Sequence, residues 1–162
     1  MQNREPSPTQ SKLIYTWPEF FLDIEKIISY IKIKGWQIKF IHGLPRGGLI
    51  PAVILANYLN AELILDRKAM WQPYCNILII DDISDSGHTL TQIPCITYYP
   101  TITLFAKTNT QFLPNYHLHT AKPSEWVIMP WESQKVASLN TDIWQESILE
   151  KQPDNTVETT IK

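Results

Sequence analysis

Apolar residues recur at helical spacing through Phe20, Ile24, Ile27, Ile28 and Ile31, as on one face of a 3.6-residue period. Thr16-Trp17-Pro18-Glu19 stands just ahead of them. That is a capping-box signature: the Thr16 hydroxyl can accept from the Glu19 amide while the Glu19 carboxylate reaches back. Pro18 is harmless in a first turn, and Gly35 is a good C-terminal stop. A second helix is predicted over Leu49–Leu59, with Pro51 tolerated in its first turn. A short third helix over Thr89–Ile93 is stopped by Pro94.

Between the helices lie short strand-like runs: Leu13–Tyr15, Lys39–Gly43, Leu63–Leu65, Thr101–Ala106 and Trp126–Met129. Ile77-Leu78-Ile79-Ile80 is an unbroken aliphatic run, which suits a parallel strand covered on both faces. Strand, loop and helix alternate along the chain, so the pattern predicts an α/β fold with a doubly wound, mostly parallel sheet flanked by helices. Its connections should be right-handed.

Composition narrows the class. The 162 residues favour one domain, and a 44% hydrophobic content is enough for a real core. A formal net charge of -2 argues against a nucleic-acid binder, which usually carries a clear basic excess. No apolar run approaches the ~20 residues that cross a bilayer. The N-terminal MQNREPSPTQS lacks the apolar stretch of a signal peptide, so a cytoplasmic protein without membrane partners is expected. Cys75 and Cys95 form no CxxC pair and no zinc set; two reduced, partly buried thiols are expected. Residues 1–10 and 151–162 read as disordered flanks of a domain over 11–150, with an amphipathic pattern at Ile143, Trp144, Ile148 and Leu149 near its end.

The chemistry concentrates in Ile77 to Thr89, ILIIDDISDSGHT. A buried strand runs into two adjacent carboxylates, Asp81 and Asp82. The loop expected over Asp81–His88 carries Ser84, Asp85, Ser86, Gly87 and His88, and Thr89 opens the short helix. Such a loop lands at the carboxyl edge of the sheet, where α/β proteins bind ligands. Backbone amides, the hydroxyls of Ser86 and Thr89, and the close approach allowed by Gly87 make a phosphate cradle. Two acids beside a phosphate cradle make sense if the ligand also carries hydroxyls and a divalent metal such as Mg²⁺. Upstream, HGLPRGG (residues 42–48) also joins a strand to a helix. Arg46 offers a fixed cationic fork, and Gly47 and Gly48 let amides face an anion.

The first segment resembles the phosphoribosyl pyrophosphate motif of the type I phosphoribosyltransferases: a hydrophobic strand, two acids, two variable residues, then Asp, Ser or Thr, Gly, a variable residue, and Ser or Thr. Every fixed position is filled here. The resemblance implies that fold, Mg²⁺ as cofactor, and phosphoribosyl pyrophosphate with a purine base as partners. It implies that Asp81 and Asp82 contact the ribose and organise the metal, and that Asp85, Ser86, Gly87, His88 and Thr89 hold the 5′-phosphate. Asp85 becomes the candidate general base near N7 of the purine. Arg46, Gly47 and Gly48 become the pyrophosphate loop, often built in the family around a non-proline cis peptide.

Towards the C-terminus, Lys107 ends ITLFAK and residues 126–132 read WVIMPWE. This is similar to the base-binding hood of the xanthine–guanine members and places a small hood at about 107–132. There Trp126 would stack on the base, Lys107 would donate to the oxygen on C6, Val127 would supply backbone contacts, and Glu132 would read the other edge or order the hood. A 6-oxopurine is the expected acceptor. Family members commonly form homodimers or higher oligomers.

Two features depart from the family pattern: the interval Asp66–Asn76 is short for a catalytic lid, and the helix after the phosphate loop is short. His117 and His119 alternate as on a strand, but with no carboxylate near them in sequence they make a weak metal pair, and His42 reads as packing. Two other functions share the motif: a non-catalytic phosphoribosyl-pyrophosphate sensor, and a transferase for another base. No P-loop sequence occurs.

Overall fold

A computed structural model describes residues 10–66 and 76–132. The first strand, β1 (Ser11–Ile14), leads into α1 (Trp17–Ile33). Thr16 caps that helix as its sequence foretells: the Thr16 amide donates to Glu19 Oε2 at 2.8 Å and the Glu19 amide to Thr16 Oγ1 at 3.4 Å. Phe20, Ile24, Ile27 and Ile31 are buried, so the apolar stripe faces the core. Gly35, at φ 66°, turns the chain out of the helix.

The chain continues through β2 (Phe40–Gly43), α2 (Leu49–Leu59), β3 (Glu62–Leu63), β4 (Ile77–Ser84), α3 (His88–Thr91), a 3₁₀ turn at Ile96–Tyr98, β5 (Thr101–Lys107), β6 (Tyr116–Ala121) and β7 (Glu125–Ile128). Five strands form one all-parallel sheet in the order β3-β2-β4-β5-β6. This is the expected α/β architecture. Leu44, Ile64, Ile77, Ile79, Leu90, Ile93 and Ile96 make one apolar cluster against the sheet. No helix among the described residues is long and apolar enough to cross a membrane.

Several expectations are corrected. The strand read as Ile77–Ile80 does not end at the acids: it continues through Asp81 and Asp82 to Ser84, because β5 supplies partners that far, Asp81 opposite Thr103 and Ser84 opposite Ala106. The loop therefore begins at Asp85 rather than Asp81. The third helix is one turn, His88–Thr91, ahead of the expected Thr89–Ile93. The strand near Trp126 stays out of the main sheet and pairs in parallel with β1, Lys12 opposite Trp126 and Leu13 opposite Val127. Tyr116–Ala121 forms a strand, of which only the alternation of His117 and His119 was read from the sequence. Cys95 is exposed, not partly buried.

A compact unit ends at Pro130, and Trp131 and Glu132 fall in a second one. The expected flanks, Cys75, most of the Asp66–Asn76 interval and the pattern at Ile143–Leu149 lie outside the described residues.

Candidate active site

In a parallel sheet every strand points its carboxyl end the same way, so the segments after β2, β4 and β5 share one edge. The chain order reverses between β2 and β4, which makes the crevice above them the topological switch point where such sheets bind ligands. Residues 44–48 leave β2 on one side of that crevice and residues 85–87 leave β4 on the other.

The first loop folds directly onto the end of β4. The Leu44 amide donates to the Ile80 carbonyl at 2.9 Å. The peptide bond between Pro45 and Arg46 is cis, as the resemblance implies. Gly47 is there for space: a Cβ built on it would collide with the Asp82 carboxylate. Any side chain at 47 would push that carboxylate away. Arg46 is exposed, Gly47 half-buried and Gly48 buried.

The two acids differ. Asp81 is buried, and its Oδ1 accepts from the Asp82 amide at 3.0 Å. Burial, and then the adjacent Asp82 charge, push the Asp81 carboxyl well above the usual carboxylate range. Asp82 is half-buried, with Oδ1 accepting from the Ile83 amide at 2.7 Å. No group of three or more His, Cys, Asp and Glu gathers among the described residues, so they hold no all-protein metal cage. Two neighbouring carboxylates do fit Mg²⁺, which is commonly held by one or two carboxylates with the remaining positions filled by water and substrate phosphates.

Beyond β4 the chain turns at Gly87, whose φ of 78° suits glycine. The His88 amide donates to Ser86 Oγ at 3.3 Å. Ser86, His88 and Thr89 are exposed, open to a ligand above the edge. Because α3 is a single turn, the cradle depends on local amides and hydroxyls more than on a helix dipole, which accumulates over longer helices.

Lys107 at the end of β5 reaches across: its Nζ lies 3.0 Å from Asp85 Oδ1, with the lysine side chain 7% exposed and the aspartate 57%. The structure thus brings together Asp81, Asp82, Gly47 and Gly48 on one side and Asp85 and Lys107 on the other. Trp126 and Val127 stand on the β1–β7 sheet, which begins soon after β6, itself paired with β5 up to Lys107 and Ala121. Trp126 is half-buried and Val127 buried; Glu132 is exposed in the second unit.

The other three histidines bond within the fold. His42 is buried, with Nδ1 2.8 Å from the Ile64 carbonyl. Contrary to the sequence pattern, His119 does meet a carboxylate: its Nε2 lies 2.5 Å from Asp23 Oδ2. Tyr15 joins the same carboxylate at 2.6 Å and Lys26 at 2.8 Å. His117 instead faces Thr120.

No family profile matches the chain. Two curated relatives do. The xanthine-guanine phosphoribosyltransferase of Nitratidesulfovibrio vulgaris (strain Hildenborough) is 26% identical over 137 residues, 74% of this chain and 83% of that protein. The enzyme of the same name from Cereibacter sphaeroides is 28% identical over 157 residues, covering 80% and 92%. Among solved structures, the xanthine-guanine-hypoxanthine phosphoribosyltransferase of Helicobacter pylori superposes with a TM-score of 0.68 at 18% identity, over 78% of this chain and 97% of that one. The last likeness is one of fold. The chain is thus similar in sequence to xanthine-guanine phosphoribosyltransferases and shares the fold of a purine phosphoribosyltransferase. The acids of the 77–89 segment lie within the end of β4 rather than beyond it.

Proposed function

We propose that the protein transfers the 5-phosphoribosyl group of phosphoribosyl pyrophosphate to a 6-oxopurine such as xanthine, guanine or hypoxanthine, releasing pyrophosphate. The observation that carries this reading is the 3.0 Å pair of Lys107 and Asp85. A 6-oxopurine displays an acceptor at O6 and a titratable nitrogen at N7 on the same edge. An ammonium and a carboxylate held side by side match that edge, whereas adenine offers an amino group where the lysine needs an acceptor. The names of the curated relatives point to the same bases.

The residues divide the work by position. The amides and hydroxyls of Ser86–Thr89 take the 5′-phosphate. Arg46 and the Gly47–Gly48 amides take the pyrophosphate end, and Asp81 and Asp82 accept from the ribose hydroxyls. These two carboxylates would also hold Mg²⁺ together with oxygens of the substrate, and the bound ion supplies neutralisation of the leaving group. Base N9 forms its bond to ribose C1 as the bond from C1 to the pyrophosphate oxygen breaks. The N7 proton passes to Asp85. Trp126 stacks on the base, and Val127 offers backbone contacts. Fixing both substrates in one crevice lowers the entropic part of the barrier.

The test is pyrophosphate release by the full chain with phosphoribosyl pyrophosphate, Mg²⁺ and a panel of xanthine, guanine, hypoxanthine, adenine, uracil and orotate. Turnover confined to the 6-oxopurines is expected. Fastest turnover with adenine or a pyrimidine would overturn the base assignment, and binding without turnover on any base would leave a sensor.

A further inference from the structure

The turn after β5 carries a set of hydrogen bonds that no motif residue explains. Thr110 follows Lys107 closely, and its amide donates to the Lys107 carbonyl at 3.1 Å. Its hydroxyl lies 2.8 Å from the hydroxyl of Ser84, the buried last residue of β4. Both hydroxyls also reach the Phe112 carbonyl. Ser84 Oγ has one proton and donates it to the Phe112 carbonyl at 2.7 Å. Thr110 Oγ1 lies 3.2 Å from the same carbonyl, so the two hydroxyls and that oxygen form one three-membered cluster. Next in the chain, the Gln111 amide donates to the Ser86 carbonyl at 3.0 Å. Phe112 closes the arrangement from above: a Cβ on Gly87 would stand 2.5 Å from the Phe112 amide nitrogen.

We propose that Thr110 and Ser84 are a positioning pair that locks the phosphate loop at a fixed height over the sheet and a fixed distance from Lys107. The two ends of the candidate site would otherwise be set independently. Asp85–Gly87 leaves β4 and Lys107 ends β5, and beyond Ser84 and Ala106 the ladder no longer ties β4 to β5. The 108–112 turn replaces the ladder there with a hydroxyl–hydroxyl contact, a bond from Ser84 to the Phe112 carbonyl, a backbone bond and a steric stop. Neither residue touches substrate in this arrangement. Ser84 occupies a variable position of the motif and Thr110 lies outside it, so nothing in the motif reserves these positions for hydroxyls. The functional consequence rests on the proposed transfer reaction, since it is the 5′-phosphate and the purine edge that need a fixed separation.

The variants are Thr110→Val, which keeps shape and removes the hydroxyl, Ser84→Ala, and Thr110→Ser as the conservative restoration. In Thr110→Val, KM for phosphoribosyl pyrophosphate should rise roughly tenfold, about the effect of one hydrogen bond. Thr110→Ser should return it to near the wild-type value. A purely structural threonine would lower Tm and leave KM of the folded fraction unchanged, and that result overturns the positioning role. Hydrogen exchange at the Gln111 amide reads the tether without turnover: faster exchange in Thr110→Val and Ser84→Ala supports the lock, and unchanged exchange contradicts it. A wild-type chain that neither binds phosphoribosyl pyrophosphate nor turns over removes the transfer reaction itself. An active wild type with an unaltered Thr110→Val removes only the lock.

Discussion

Lys107 and Asp85 form an ion pair 3.0 Å long in which the cation is nearly buried and the anion faces solvent. A buried ammonium needs acceptors to offset its lost hydration. Asp85 is such an acceptor, and on the proposed reading a 6-oxopurine would bring a second one. The Asp85 side chain itself is 57% exposed.

Removing the ammonium while keeping the stem, as Lys107→Met does, should erase the preference among bases. We expect kcat/KM for guanine and xanthine to fall roughly 10- to 100-fold, the effect of one hydrogen bond to a charged group. Activity with adenine should change much less. The check is the ratio of kcat/KM for hypoxanthine to that for adenine in both proteins. A ratio unaltered by the substitution would take Lys107 out of base selection.

Asp81 gives the site a cost in stability that depends on pH. Burial first, and the Asp82 charge second, raise its carboxyl above the usual range. A raised carboxyl favours the protonated form in the folded protein. Its contribution to stability is therefore full below the unfolded carboxyl value of ~3.9 and is lost as pH rises through the folded value. Asp81→Asn, neutral at every pH, should escape that loss. Its Tm relative to wild type should climb between pH 5 and pH 8, while its affinity for phosphoribosyl pyrophosphate falls. A Tm difference independent of pH would show that Asp81 is not held protonated by its surroundings.

Asp23 should behave with the opposite sign. Burial pushes its carboxyl up, but hydrogen bonds from Lys26, Tyr15 and His119 together outweigh that and hold it below the usual range. The stabilisation is present above the ordinary carboxylate value and disappears as pH falls through the depressed one. In Asp23→Asn, Tm should drop by several degrees at pH 7, and the gap from wild type should narrow in acid. A gap that widened in acid would contradict the assignment. Tyr15 belongs to the same cluster: burial, then the bond to Asp23, pushes its phenol up, and its amide donates to the Ile128 carbonyl at 3.0 Å. The carboxylate thus anchors the end of β1, and through it the end of β7.

What could be read from the chain alone followed the range of the forces involved. The α1 cap, its apolar stripe and the bounds of α2 were legible because neighbours in sequence decide them. The turns after β2 and β4 were legible because glycine and proline mark the break from strand to helix. β6 was legible only in the alternation of His117 and His119: Tyr116–Thr120 lies at the sheet edge and is half-buried or exposed, so it carries no strong apolar alternation. The path of β4 through Asp81 and Asp82 depends on β5 as a partner, which local turn propensity does not register. The placement of β7 beside β1, the Asp23–His119 pair and the Thr110–Ser84 bond join distant parts of the chain. Each of them appears only once the sheet is assembled.

The central claim is that the crevice between β2 and β4 grips an activated ribose through one cradle at each end and two acids between them. Isothermal titration calorimetry of phosphoribosyl pyrophosphate into the full chain, with Mg²⁺ and with a chelator, tests it most directly. One site per chain is expected, tightened by Mg²⁺, and weakened by Arg46→Ala more for phosphoribosyl pyrophosphate than for a nucleoside monophosphate. No heat of binding in Mg²⁺, at protein concentrations that detect millimolar affinity, would contradict it.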